Sequence, residues 1–176
     1  MKILVTAFKP FNNNKINYSM KVLEYIVGVD KVFLDVLYDE SYSFLNNNYN
    51  LDDYDFIIAL GEARMREALS LEINAKNIAS CSIPDNNGVL KKDEIIIDGA
   101  KDVLQTKVLF DEIDDIITIS LDAGNFVCNN LYYHLLYDYP DKSIFIHVPN
   151  LKDDEKEYRR HAAVIMKIIN KLKKEN

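Results

Sequence analysis

Three side chains in this sequence could together make and break covalent bonds: Cys128, His147 and Glu72. Cys128 follows the run from Ser120 to Val127, which reads as a strand-to-helix turn, and so falls in the first turn of the next helix. Unpaired N–H groups at a helix start lower a thiol's pKa and can donate to an oxyanion. One location would then activate a nucleophile and stabilise a tetrahedral intermediate. An inert, buried cysteine fits the same position. His147 lies near the carboxyl end of the run Ile144–Val148 and just before Pro149. A strand–helix–strand unit sets consecutive strand ends side by side, which would put His147 within reach of the Cys128 proton. A satisfied core histidine is the plainer reading. Glu72, in the β-like run Leu69–Ala75, would orient the imidazole and stabilise its protonated form; the alternative is an outward-facing strand residue. His134 falls mid-helix and His161 on a charged C-terminal helix, so His147 is the best-placed base.

Positioning these residues requires a sheet. Ile3–Thr6, Val32–Leu37, Phe56–Leu60, Leu71–Ala79, Ile116–Ser120 and Ile144–Val148 read as strands. Helices fit Asn17–Ile26 and Asn125–Leu136. A last helix carries Tyr158, Ala162, Ile165, Ile169 and Leu172 on one face, which is core packing. The alternation predicts an α/β fold, largely parallel, with right-handed crossovers. In such sheets ligands collect at the carboxyl ends of strands, where Cys128 and His147 both fall. Leu90–Gln105 reads as a hairpin or excursion, and Asn12–Asn14 and Asn46–Asn50 as polar turns.

Composition narrows the function classes. The chain has 176 residues, 48% of them hydrophobic, which suits one domain, residues 1–176, with a sizeable core. A formal charge of −7 argues against nucleic acid or an anionic membrane as partner. No segment approaches the ~20 apolar residues that span a bilayer, and the apolar run at the N-terminus is too short for a signal peptide. Two cysteines, Cys81 and Cys128, make no disulfide framework and suit a reducing cytoplasm. The isolated glycines make no phosphate loop, and the acid pairs Asp114-Asp115 and Asp153-Asp154 read as solvated charges rather than metal ligands.

The strings Thr6-Ala-Phe-Lys-Pro-Phe11 with Lys15-Ile-Asn17, Leu60-Gly-Glu-Ala63 through Arg66 to Glu72, Ile83-Pro-Asp-Asn86, Asp122-Ala-Gly124 with Phe126-Val-Cys-Asn129, and Phe145-Ile-His-Val-Pro149 occur in colinear order. Together they resemble the pyroglutamyl peptidase I (pyrrolidone-carboxylate peptidase) family nearly end to end. The resemblance implies a twisted, mostly parallel sheet flanked by helices on both faces. It also implies a cytoplasmic cysteine exopeptidase that removes N-terminal pyroglutamate from peptides with a Cys–His–Glu triad and no metal or organic cofactor, commonly as a homo-oligomer. Cys128, His147 and Glu72 fall on the triad positions. Phe8, Phe11, Ile83, Phe126 and Val127 fall on positions associated with the lactam pocket, and Asn17 and Glu62 join them as substrate-binding candidates.

The sequence also departs from the family pattern. Glu62 stands where the family usually has Gln, and an ionised carboxylate offers only acceptors to a neutral lactam. Arg64-Met65 replaces a glycine pair, and Arg64 is spaced to pair with Glu62. Ala7 and Asn12-Asn13 replace glycines, Leu37–Glu40 lacks a usual proline, and the chain is shorter than family members generally are. Three functions follow as alternatives: a pyroglutamyl peptidase, a cysteine hydrolase of altered specificity, and a catalytically inactive homologue that binds a small ligand or peptide end.

Overall fold

The computed structural model describes residues 1–108, 117–151 and 153–175; Ile116, Asp114 and Asp115 lie outside them. Along the chain run β1 (Ile3–Phe8), α1 (Tyr18–Glu24), β2 (Asp30–Leu34), α2 (Glu40–Asn48), β3 (Phe56–Ala63), β4 (Leu69–Glu72), β5 (Asn74–Lys76), β6 (Val103–Gln105), β7 (Ile117–Ser120), α3 (Val127–Asp138), β8 (Ser143–Pro149) and α4 (Glu155–Glu175). Six strands form one sheet in the order β2-β1-β3-β8-β4-β7. All neighbours are parallel except β4 and β8, so β4 and β7 run against the other four.

Alternation along the strands sorts side chains to two faces. Ile3, Val5 and Ala7 of β1, Ile58 and Leu60 of β3, and Ile144, Ile146 and Val148 of β8 pack with Val22 and Leu23 of α1 and Ile165 and Ile169 of α4. Leu4 and Phe8 of β1, Ile57 and Ala59 of β3, and Phe145 of β8 pack with Leu45 of α2 and Leu131 and Leu135 of α3. Helices therefore cover both faces, as expected of this α/β class.

Two expectations change in detail. The run Leu71–Ala79 is not one strand: β4 ends at Glu72, and β5 pairs with β6 in a separate antiparallel ribbon. The Leu90–Gln105 excursion returns through that ribbon, with an isolated bridge between Ala79 and Glu94. More consequential is the strand order. β7 and β8 are consecutive strands but not neighbours, because β8 enters between β3 and β4. Adjacent strand ends therefore do not bring Cys128 to His147, and a different geometry takes their place.

Candidate active site

Register builds the site on the α3-covered face. His147 shares that face with Phe145, two residues before it, and pairs with Gly61 on one side and Ser70 on the other. Glu72 shares the face of Ser70, two residues further along β4, and so lies diagonal to His147, within reach of a long side chain. On the other side Gly61 has no side chain. A Cβ there would stand 2.8 Å from Cys128 Sγ and 2.7 Å from Phe145 Cζ, so the glycine makes the space the thiol occupies. An isolated glycine within a strand marks close approach of another group, but only the register tells what approaches. Gly61 carries no sequence signal for this role beyond its isolation in a strand.

Glu72 is fully buried, and its Oε1 receives His147 Nδ1 at 2.7 Å. Arg66 Nη2 stands 2.7 Å from the same oxygen, while Oε2 has no partner. Burial of an acid is costly without such partners. His147 is itself buried, its ring tilted against Phe145 with centroids 4.9 Å apart. With Nδ1 held by the acid, Nε2 is the nitrogen left for another proton.

Cys128 is the second residue of α3, as expected. The helix start has no side-chain cap, which leaves its first N–H groups open to a ligand. The thiol, however, is not shifted down. Removal from water pushes its pKa up to about 12, with the charges of Glu72 and then Glu62 adding to the effect, against a smaller lowering from its own backbone N–H. Burial and the two carboxylates facing the sulfur outweigh the expected lowering at a helix start. Among the described residues no hydrogen bond joins Cys128 to His147, although both line one cleft.

That cleft has a volume of about 530 Å³ and is lined by Glu62, Arg66, Asp122, Phe126, Cys128 and His147, among others. A cavity of similar size, about 570 Å³, lies against α4 and holds no cysteine. Phe126, at the cleft wall, touches Phe11 at 5.8 Å and Tyr38 edge-on at 5.5 Å between centroids. Tyr38 is a support that sequence reasoning missed, visible only as an aromatic in the altered segment Leu37–Glu40.

Other expected binding residues are not at the cleft surface. Phe8 and Val127 are buried in the core beneath it. Asn17 caps α1: its Oδ1 accepts from Ser19 N at 3.0 Å, and its Nδ2 donates to Lys9 O at 3.3 Å. Ile83 is partly exposed on the loop whose Asn86 N donates to Val36 O. Glu62 does line the cleft, yet both its oxygens are taken, Oε2 by Tyr18 N at 2.6 Å and Oε1 by Arg64 Nε at 2.5 Å. Arg64 thus pairs with it as spaced. Of the acid pairs, Asp154 Oδ1 receives Lys156 N at the start of α4 and Asp153 receives the Tyr158 hydroxyl.

Comparison with known proteins shows the family. A family model described as pyroglutamyl peptidase matches residues 1–168. A pyrrolidone-carboxylate peptidase of Staphylococcus aureus is 34% identical over 171 residues, covering 87% of this chain and 81% of that one. The crystal structure of pyrrolidone carboxyl peptidase from Fervidobacterium islandicum superposes with a TM-score of 0.86 at 25% identity, covering 99% of both chains. The pyroglutamyl peptidase I of Bacillus amyloliquefaciens gives a TM-score of 0.80 at 24% identity, covering 93% of each chain, which bears on the fold alone.

Proposed function

The chain belongs to the pyroglutamyl peptidase family of cysteine peptidases, and from that premise we propose that it removes N-terminal pyroglutamate from peptides with Cys128 as nucleophile, His147 as base and Glu72 as the orienting acid. The observation that carries this reading is the buried Glu72 carboxylate on His147 Nδ1, with Cys128 in the same cleft. The thiol is neutral at rest, because its pKa lies far above neutral pH. Its proton therefore passes to His147 Nε2 as the sulfur attacks the pyroglutamyl carbonyl, rather than beforehand. First-turn N–H groups of α3 receive the oxyanion. His147 then protonates the departing amine, and a water deprotonated by the same nitrogen hydrolyses the thioester. Phe126, backed by Phe11 and Tyr38, offers a flat apolar wall to the lactam ring. These steps use side chains and backbone only.

The state of Glu62 bears on the alternative of altered specificity. A carboxylate already accepting from Tyr18 N and Arg64 is bound into the start of α1, and its charge is paired, so it is not a free acceptor that would reject a lactam carbonyl. The inactive-homologue reading is favoured by one observation, the absence of a hydrogen bond between Cys128 and His147 among the described residues.

The test is release of a fluorescent amine from its pyroglutamyl amide. Wild-type turnover that Cys128→Ser reduces by roughly 10³-fold or more is the expected result. Glu62→Gln should keep the acceptor for Tyr18 N and change kcat/KM by less than about tenfold. Silence from wild type and both variants would leave the binding protein as the better reading. Activity confined to Glu62→Gln would mean altered specificity. Self-association and a cytoplasmic location complete the proposal; light scattering of the purified protein checks the first.

A further inference from the structure

We propose that Arg66 is a positioning residue, which holds Glu72 against His147 and ties that acid to the loop leading into Cys128. The proposal rests on the triad reading above. Glu72 enters a site with no water contact of its own, and one of its oxygens has no hydrogen-bond partner. An ionised carboxylate in such a place needs a cation or it takes up a proton, and a protonated Glu72 would no longer stabilise an imidazolium. Arg66 Nη2 supplies the cation at 2.7 Å, on the same oxygen that receives His147 Nδ1.

The same nitrogen reaches further. It donates to Ser120 Oγ at 2.9 Å and to the Asp122 carbonyl at 2.8 Å, at the point where β7 gives way to residues 121–126 and then to α3. This loop has to carry the chain from a strand antiparallel to β8 back to a helix start beside Gly61. One guanidinium therefore fixes both the acid and the base of that loop. Other charges facing the site are already matched: Glu62 with Arg64 at 2.5 Å on β3, and Asp122 with Lys76 of β5 at 2.9 Å. Among the described residues, His147 is the other group that pairs with Glu72.

Two effects follow, and they separate. The first is charge: without the cation Glu72 takes up a proton and no longer stabilises the imidazolium that forms when His147 takes the Cys128 proton. The second is shape, since a lysine keeps the charge but carries it on a flexible stem, without the rigid guanidinium plane that fixes Nη2 between acid and loop.

The experiment measures alkylation of Cys128 by iodoacetamide from pH 6 to 10, in a Cys81→Ser background so that one thiol reports, beside the kcat/KM–pH profile on a pyroglutamyl amide. Arg66→Gln should slow alkylation about tenfold at pH 8, equivalent to moving the profile up by about one pH unit. It should also move the acid limb of kcat/KM. Arg66→Lys should keep alkylation within about threefold of wild type yet lower kcat about tenfold at little-changed KM, a split expected when positioning rather than substrate binding is lost. Alkylation profiles of wild type and Arg66→Gln that superimpose would overturn the proposal. If Arg66→Gln does not fold, Arg66→Lys decides: a kcat equal to wild type overturns it. Wild-type protein inactive on pyroglutamyl amides, with alkylation still slowed in Arg66→Gln, would remove the peptidase reading and leave the role of Arg66 standing.

Discussion

The two faces of β8 differ in kind. Ile144, Ile146 and Val148 point to α1 and α4 and belong to an apolar cluster, whereas Ser143, Phe145 and His147 point to α3. Across the sheet, the buried side-chain atoms left without a hydrogen-bond partner among the described residues are Thr6 Oγ1, Glu72 Oε2 and Ser143 Oγ, and all share the α3 face. Each leaves a desolvation cost that the other face does not bear. One face therefore supplies cohesion, and the other gives up some of it around the candidate site.

Substitutions on the two faces should separate rate from stability. On the α3 face, Glu72→Gln should lower kcat by roughly 10³–10⁴-fold, since an amide neither fixes the tautomer nor stabilises the imidazolium; steady-state kinetics on a pyroglutamyl amide checks it. On the opposite face, Ile146→Ala should cost about 2–5 kcal/mol of stability by urea denaturation while kcat per folded molecule stays near wild type. Should kcat fall with it, the faces are not independent. Gly61→Ala adds a methyl where the Cys128 sulfur sits. Displacing the sulfur by about 1 Å should cost on the order of 10²-fold in kcat/KM, and Gly61→Ala crystals would show the moved side chain. Ser143→Ala removes an unpartnered hydroxyl from the chemical face and should leave activity intact while stability changes by no more than about 1 kcal/mol, in the favourable direction. A clear loss in thermal melting would mean that the hydroxyl has a partner after all.

Much of this was legible in the residues themselves. Cys128 at a helix start and His147 near a strand's end follow from local pattern, and the alternation of β1, β3 and β8 follows from their β-branched and aromatic content. What joins them was not legible, because it depends on strand order. β7 and β8 are separated by β4, and no local signal states that β8 enters between two strands linked by a short turn. Gly61 is silent for the same reason: its meaning depends on the register that sets it opposite His147. Asn17 and Glu62 were legible as polar residues but not in their partners. Their types fit a polar pocket, but the start of α1 takes up their hydrogen-bonding capacity. The run Glu40–Asn48 gave little periodic signal, and α2 is held by the few inward residues Ser41, Tyr42 and Leu45. The thiol's direction was misjudged because a helix start is a local feature, whereas the carboxylates opposing it arrive from distant strands.

The position of β8 also sets an order of events during synthesis. β3 and β4 emerge early, joined by residues 64–68, and each must keep an edge open for a strand made much later. Until Ser143–Pro149 arrives, the slot between them has unpaired backbone on both sides, and Glu72 has no imidazole. Closing it demands pairings between residues far apart in sequence, the kind that fold slowly. The strand that seals the sheet is therefore also the one that brings His147 to Glu72.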